Sequence, residues 1–171
     1  MASIRVRAAL PMDDHPVGEL LVRAFVETYA RKMPGVLVPE TRKRTLRDMA
    51  GKRSQARVFV AEVEGELAGT VALWPPGAAG SEAWIPSAAD LRHLAVDDRF
   101  RGGAVSCALI DAAEAEAGRL GATHVCLHVR QGASGVRRLY EARGYLRDPA
   151  GDLDRRPEIF LEAFTKQLGG R

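Results

Sequence analysis

Apolar positions along the chain change their spacing several times, and each change marks an element. Residues 4–8 alternate apolar with charged side chains, as a short strand does. Pro11-Met12-Asp13-Asp14 then supplies turn and helix-cap residues, and Val17, Leu20, Leu21, Ala24 and Phe25 follow at helical spacing. A second helix is expected from Pro39-Glu40 to about Gly51, with Leu46 and Met49 inward and Arg42, Lys43, Arg44 and Arg47 mostly outward. Residues 57–63 have the β-branched and aromatic content of a strand, and 67–74 repeat it after a tight Glu64-Gly65 turn. The density of Pro and Gly over 75–80 demands a loop. A further strand ends at Val96, and a polar turn over 97–101 leads into an Ala-rich helix over 103–120 with Val105, Leu109, Ala112 and Ala113 as its apolar stripe. Val125, Leu127 and Val129 mark a strand over 123–129, followed by a short helix over 136–143, a stop at Gly144 and a closing strand over 159–164. The order β α α β β β α β α β gives an α/β (α+β) protein with a mixed sheet.

Composition narrows the classes. A chain of 171 residues supports one substantial core, so residues 1–171 read as a single domain. Hydrophobic residues at 46% and charged residues at 27% match an ordinary globular protein rather than a disordered or fibrous one. No apolar run reaches membrane-spanning length and residues 1–7 lack a secretory pattern, so the expectation is a cytoplasmic protein without a membrane partner. In that compartment Cys107 and Cys126 are expected as free thiols. The net charge of +3 is the small difference between 25 basic and 22 acidic residues, which argues against a dedicated nucleic-acid binder. The basic cluster Arg42, Lys43, Arg44, Arg47, Lys52 and Arg53 is read first as a solvated helix surface and second as an anion or nucleic-acid contact.

The chemistry concentrates at one junction. Residues 94–106 join a strand end (Leu94, Ala95, Val96), a basic turn ending Arg101-Gly102-Gly103, and a helix start (Ala104, Val105, Ser106). Amide groups in a first helical turn and the positive end of the helix dipole both favour a phosphate, and glycines let it approach the backbone. Tight chain reversal is the alternative role for the two glycines. The segment is neither a P-loop nor a dinucleotide fingerprint, because Gly51-Lys52 is followed by Arg53 and no G-x-G-x-x-G occurs.

A strand ending L-x-V followed by a turn, R-G and a helix resembles the signature of the GNAT superfamily of acyl-CoA N-acyltransferases, with Leu94, Val96, Arg101 and Gly102 matching in place. Leu139-Tyr140-Glu141-Ala142-Arg143-Gly144-Tyr145 is similar to that family's second element, L-Y-x-x-x-G-F/Y. The departures are Ala104 and Ser106 at two later glycine positions and Ala133 where an Asn is frequent, with Ser134 a candidate stand-in. The resemblance implies a mixed central sheet of six to seven strands flanked by about four helices. It also implies direct acetyl transfer from acetyl-CoA, as co-substrate, to a primary amine of a small molecule or peptide, with no metal and no covalent intermediate. In that scheme residues 94–96, 101–106, Ser134 and Tyr140 hold the coenzyme, a backbone N–H near Leu94 polarises the thioester carbonyl, and the Tyr140 hydroxyl protonates the departing sulfur. Asp90, six residues before Val96, occupies the family's base position. His93 is the rival base, although period-two alternation places it on the opposite face from Asp90 unless a bulge intervenes.

Other constellations weigh less. His124, Cys126 and His128 alternate on one strand face, but side chains at i and i+2 leave a strand roughly 7 Å apart, too far for one zinc ion. Gly132-Ala133-Ser134-Gly135 lacks the spacing of a nucleophile elbow. Trp74 and Trp84 either border the acceptor or cap the core. Two alternatives to turnover remain: an acyl-CoA sensor that has lost catalysis, motivated by Ala104, Ser106 and Ala133, and an anion-binding interaction protein using the basic second helix. The expected assembly is a monomer or homodimer.

Overall fold

A computed structural model describes residues 2–169. The chain divides into two compact units, one made of residues up to Leu73 together with His93–Ala115, the other of Trp74–Arg92 together with residues from Glu116 onward.

In the first unit, β1 (Ile4–Ala8) runs antiparallel to β2 (Arg57–Val63), and β2 runs antiparallel to β3 (Glu66–Trp74). The turn between β2 and β3 places Glu64 at φ 51° and Gly65 at φ 81°. Two successive positive φ values match the twist of a two-residue hairpin, so Gly is suited to the second position. A 3-10 turn over Pro11–Asp13 leads into α1 (Asp14–Lys32), whose Val17, Leu20 and Leu21 are buried as their spacing requires. The expected second helix is two helices, α2 (Glu40–Arg47) and α3 (Met49–Gln55). They part at Asp48, whose backbone leaves the helical region (ψ 72°) while its carboxylate accepts the Gly51 N–H at 3.0 Å. A residue that caps a new helix ends the old one, and periodicity alone does not register that break. Leu46 and Met49 are both buried, one at the end of each helix. Arg47 bridges to Glu19, and Arg53 to Asp14, which ties α2 and α3 to α1.

β4 (Ala88–Val96) and α4 (Ala104–Arg119) each begin in one unit and end in the other. In the first unit Val105 and Leu109 of α4 lie against Gly69 of β3. Ala112 is only half-buried, and Ile110 takes a place in the core instead.

In the second unit the start of β4 pairs parallel with β5 (His124–Arg130), from Ala88 opposite His124 to Asp90 opposite Cys126. β8 (Ile159–Gln167) pairs antiparallel along the whole of β5. Two short strands that the sequence pattern does not announce, β6 (Leu146–Arg147) and β7 (Leu153–Arg155), also pair with β8. A 3-10 turn over Pro149–Gly151 separates them. α5 (Ser134–Ala142) follows β5, and Gly144 at φ 91° stops the chain from continuing it. Val125, Leu127, Val129, Phe164 and Tyr145 form the core here.

The described residues thus hold eight strands and five α-helices, against the six to seven and about four expected. The excess strands are the two- and three-residue segments at β8, and the extra helix comes from the break at Asp48. Parallel and antiparallel pairing occur together, so the protein is mixed α/β. No helix among the described residues is long and apolar enough to cross a membrane.

Candidate active site

The first unit builds an anion cradle out of backbone. Asp97 follows the end of β4; its N–H donates to the Ala68 carbonyl at 2.8 Å while its carboxylate accepts the Arg99 N–H at 3.0 Å. A short 3-10 turn over Asp98–Phe100 follows, and the chain then passes Gly102 at φ 135° and Gly103 at φ 95°. Only glycine adopts these angles cheaply. A β-carbon at either position would enter open space, so the surface above both peptides is clear. The Cys107 N–H donates to the Gly103 carbonyl at 2.9 Å. The amides of Ala104, Val105 and Ser106 therefore precede the first intrahelical bond and carry the partial positive charge of the α4 start.

Side chains around this cradle contribute less than the backbone does. Ala95 and Val105 are buried in the core and Ala104 is exposed, so these three offer main-chain groups only. Ser106 is half-buried at the same helix start. Arg101 is exposed and pairs with Asp98 at 2.7 Å, and Arg31 reaches the same carboxylate at 3.7 Å. The basic character of the turn is thus partly neutralised locally. A diphosphate fits the set of donors, because three helix-start amides, two glycine peptides and one exposed guanidinium all favour negative charge.

Upstream of the cradle, the backbone takes φ 59° at His93. This is the interruption of strand alternation that sequence periodicity left open. Leu91 and Ala95 are buried, whereas His93, Leu94 and Val96 are half-buried. The His93 ring meets Phe25 of α1 edge-on, 6.3 Å between centroids, and Phe25 meets Tyr29 in the same way at 6.1 Å.

The second unit carries Asp90, Ser134 and Tyr140. Asp90 is wholly buried, not a solvated acid at a strand start. Its Oδ2 accepts from Arg92 Nε at 2.8 Å and from the Glu82 N–H at 2.8 Å, and the Arg92 guanidinium pairs with it at 2.7 Å. Arg92 is itself held by Glu82 at 3.0 Å, by the Gly80 carbonyl, and by the face of Trp74, 3.9 Å from the ring centroid. Burial pushes the Asp90 carboxyl up from its ordinary value, and the neighbouring Arg92 opposes that shift without cancelling it. Asp90 Oδ1 is buried and has no hydrogen-bonding partner.

Tyr140 lies on the inward face of α5, 4% exposed, with its ring edge-on to Tyr145 at 5.4 Å. Burial raises its phenol well above the ordinary value, so it stays protonated through neutral pH. Ser134 is exposed as the first residue of α5.

Two side chains gain weight that sequence reading did not give them. Arg92 stands two residues from Asp90, a spacing that puts both on one strand face and would have announced the pair. His128 shares its face with Cys126, but the sequence raised it only as a metal ligand. Its Nε2 lies 2.8 Å from the Gly151 carbonyl oxygen, and its ring meets Trp84 at 5.2 Å. Trp84 Nε1 donates to Asp148 at 2.8 Å, and a β-carbon on Gly151 would collide with the indole, so glycine is required there.

The sequence matches the acetyltransferase (GNAT) family over residues 17–145. Among curated proteins none matches the chain. Solved structures with the same fold include an acetyltransferase of the GNAT family from Staphylococcus aureus Mu50, 13% identical, with a TM-score of 0.74 over 98% of this chain and 100% of that one. YncA from Salmonella typhimurium, solved with its cofactor acetyl-CoA, is 16% identical, with a TM-score of 0.66 over 99% and 96%. The PaiA N-acetyltransferase from Thermoplasma acidophilum, in complex with coenzyme A, is 18% identical, with a TM-score of 0.69 over 94% and 98%.

Proposed function

The chain belongs to the acetyltransferase (GNAT) family, an acyltransferase family, and from that premise we propose that it moves an acetyl group from acetyl-CoA directly onto a primary amine of a small molecule or peptide. The observation that carries this reading is the backbone cradle at Gly102–Ser106, which lies inside the stretch that matches the family. Arg101, Gly102, Gly103, Ala104, Val105 and Ser106 take the diphosphate through their amides and the one guanidinium. Leu94, Ala95 and Val96 present strand-edge groups to the pantetheine arm, and Ser134 adds a hydroxyl. The coenzyme supplies an activated thioester.

The protein's own groups do the rest. A backbone N–H near Leu94 polarises the thioester carbonyl, where negative charge develops as nitrogen attacks. Tyr140, kept neutral by burial, is suited to hand its proton to the departing thiolate. Asp90 is suited to receive the proton of the incoming ammonium, because a carboxyl whose pKa is raised binds a proton more readily than a solvated one. Its Oδ2 is committed to Arg92, so Oδ1 is the atom that acts.

Thiol release from acetyl-CoA over a panel of primary amines tests the reading. Turnover with at least one amine is expected, and Tyr140→Phe is expected to lower kcat about a hundredfold or more while leaving the acetyl-CoA KM within about twofold. Coenzyme binding without release on any amine returns the protein to the sensor alternative. Unchanged kcat in Tyr140→Phe removes the acid assignment.

A further inference from the structure

One face of the β4–β5 pair carries three side chains in a row, and the chemistry above uses only the first. Asp90 stands opposite Cys126 in the parallel register, and alternation along β5 puts His128 on the same face as Cys126. The segment entering β4 is laid along this row. The Glu82 N–H donates to Asp90, the backbone of Trp84 and Ile85 hydrogen-bonds the Cys126 sulfur, and the Trp84 ring meets His128.

Two atoms of the row are left over. Asp90 Oδ1 and His128 Nδ1 are both buried, and neither has a hydrogen-bonding partner. Both are acceptors. The Gly151 carbonyl can only accept, so His128 Nε2 carries the hydrogen of the neutral ring and Nδ1 carries the lone pair. A buried acceptor left without a donor is costly, and two on one strand face call for a common donor. Strand geometry separates the two Cα atoms by about 8 Å, a distance that two inclined side chains and one water molecule span.

We propose that Asp90 and His128 are one proton-sharing pair, bridged by a water molecule from Asp90 Oδ1 to His128 Nδ1, in which His128 stores the proton that the acceptor amine loses. The inference rests on the acetyl-transfer reading and adds to it the residue where that proton goes. The ammonium gives one proton through Asp90 and the water to His128 Nδ1 and becomes a neutral amine. Its nitrogen bonds to the acetyl carbon, the carbon–sulfur bond breaks, and Tyr140 protonates the thiolate. The second nitrogen proton restores Tyr140, and His128 releases its proton to solvent. His128 acts through Asp90 and is therefore a positioning residue.

Several charged and titratable groups face the pair. From β4 and the segment before it come Arg92 and Glu82, and from the segment after β6 come Asp148, held to Trp84, and Asp152, held to Arg147. β5 itself adds Cys126, and β8 brings the neutral Ala163 and Thr165 opposite His128 and Cys126.

Imidazole nitrogen resonances of isotopically labelled protein at neutral pH test the pairing without any need for turnover. Asp90→Asn keeps the shape and the Arg92 bond but puts a donor where Oδ1 accepted, and it is expected to shift the His128 Nδ1 resonance, because the bridging water loses its first acceptor. An Nδ1 resonance that does not move overturns the pair. His128→Gln keeps a donor for the Gly151 carbonyl and loses the Nδ1 lone pair. It is expected to lower kcat about ten- to a hundredfold with the amine KM and the thermal midpoint near those of the wild type, and to add little to the loss in Asp90→Asn when the two are combined. An unchanged kcat, or losses that simply add, overturns proton storage by His128. An Nδ1 resonance that moves in a protein that acetylates no amine upholds the shared water and defeats the acetyl-transfer reading instead.

Discussion

Each unit contains an arginine–aspartate pair of nearly the same length, Arg7–Asp13 at 2.8 Å in the first and Arg92–Asp90 at 2.7 Å in the second, yet the two carboxyls shift in opposite directions. Asp13 keeps 11% of its side chain exposed, accepts two bonds from Arg7 and one from the Leu10 N–H, and is lowered, chiefly by Arg7. Asp90 keeps 1% and is raised, because burial outweighs its arginine. Bond length does not decide the matter; loss of solvent does. The first pair is built for stability. The second holds a carboxyl at some cost, which is the usual condition of a working acid or base.

Asp13 is lowered on folding, so its contribution is present above the unfolded carboxylate range and is lost as pH falls through the folded value. Asp90 is raised, so its ionised form weighs against folding above the folded value, and that penalty fades as pH falls through it.

The largest break in the comparison is Arg92→Ala, which strands a buried carboxylate. It is expected to cost about 3–5 kcal/mol at pH 7 in urea denaturation, and the loss should shrink as pH falls and Asp90 takes up a proton. A loss that is constant with pH would place Asp90 outside the effect. Asp13→Asn comes next, with an expected loss of about 1–2 kcal/mol at pH 7 that shrinks only as pH falls below the ordinary carboxylate range, read from the same denaturation series. The smallest effect belongs to Asp90→Asn, expected within about 1 kcal/mol of wild type in stability while turnover falls. If Asp90→Asn destabilises as much as Arg92→Ala does, the second pair is as structural as the first.

Much of this was readable in the letters. The Glu64-Gly65 turn, the apolar stripe of α1 and the glycine-bearing start of α4 each follow from short-range chemistry, and each is where its residues require. The break at Asp48 was hidden because capping and continuing a helix use the same residue types, and only the local backbone separates them. β6 and β7 were hidden because two or three residues carry no periodicity. Asp90 is bonded by the Glu82 N–H and its partner Arg92 lies on the Trp74 ring, contacts from residues eight and more positions away that a local pattern does not encode. His128 was visible as one of an alternating row, but its lone pair acquires meaning only once the Gly151 carbonyl settles which nitrogen holds the hydrogen.

Because residues 102–106 would hold their ligand with peptide groups, what evolution must preserve there is a pair of torsions and not a spelling. A β-carbon at Gly103 would meet open space, yet it would strain the φ of 95° on which the bend depends. Proteins of this kind are therefore better found by the shape of the bend than by counting its glycines.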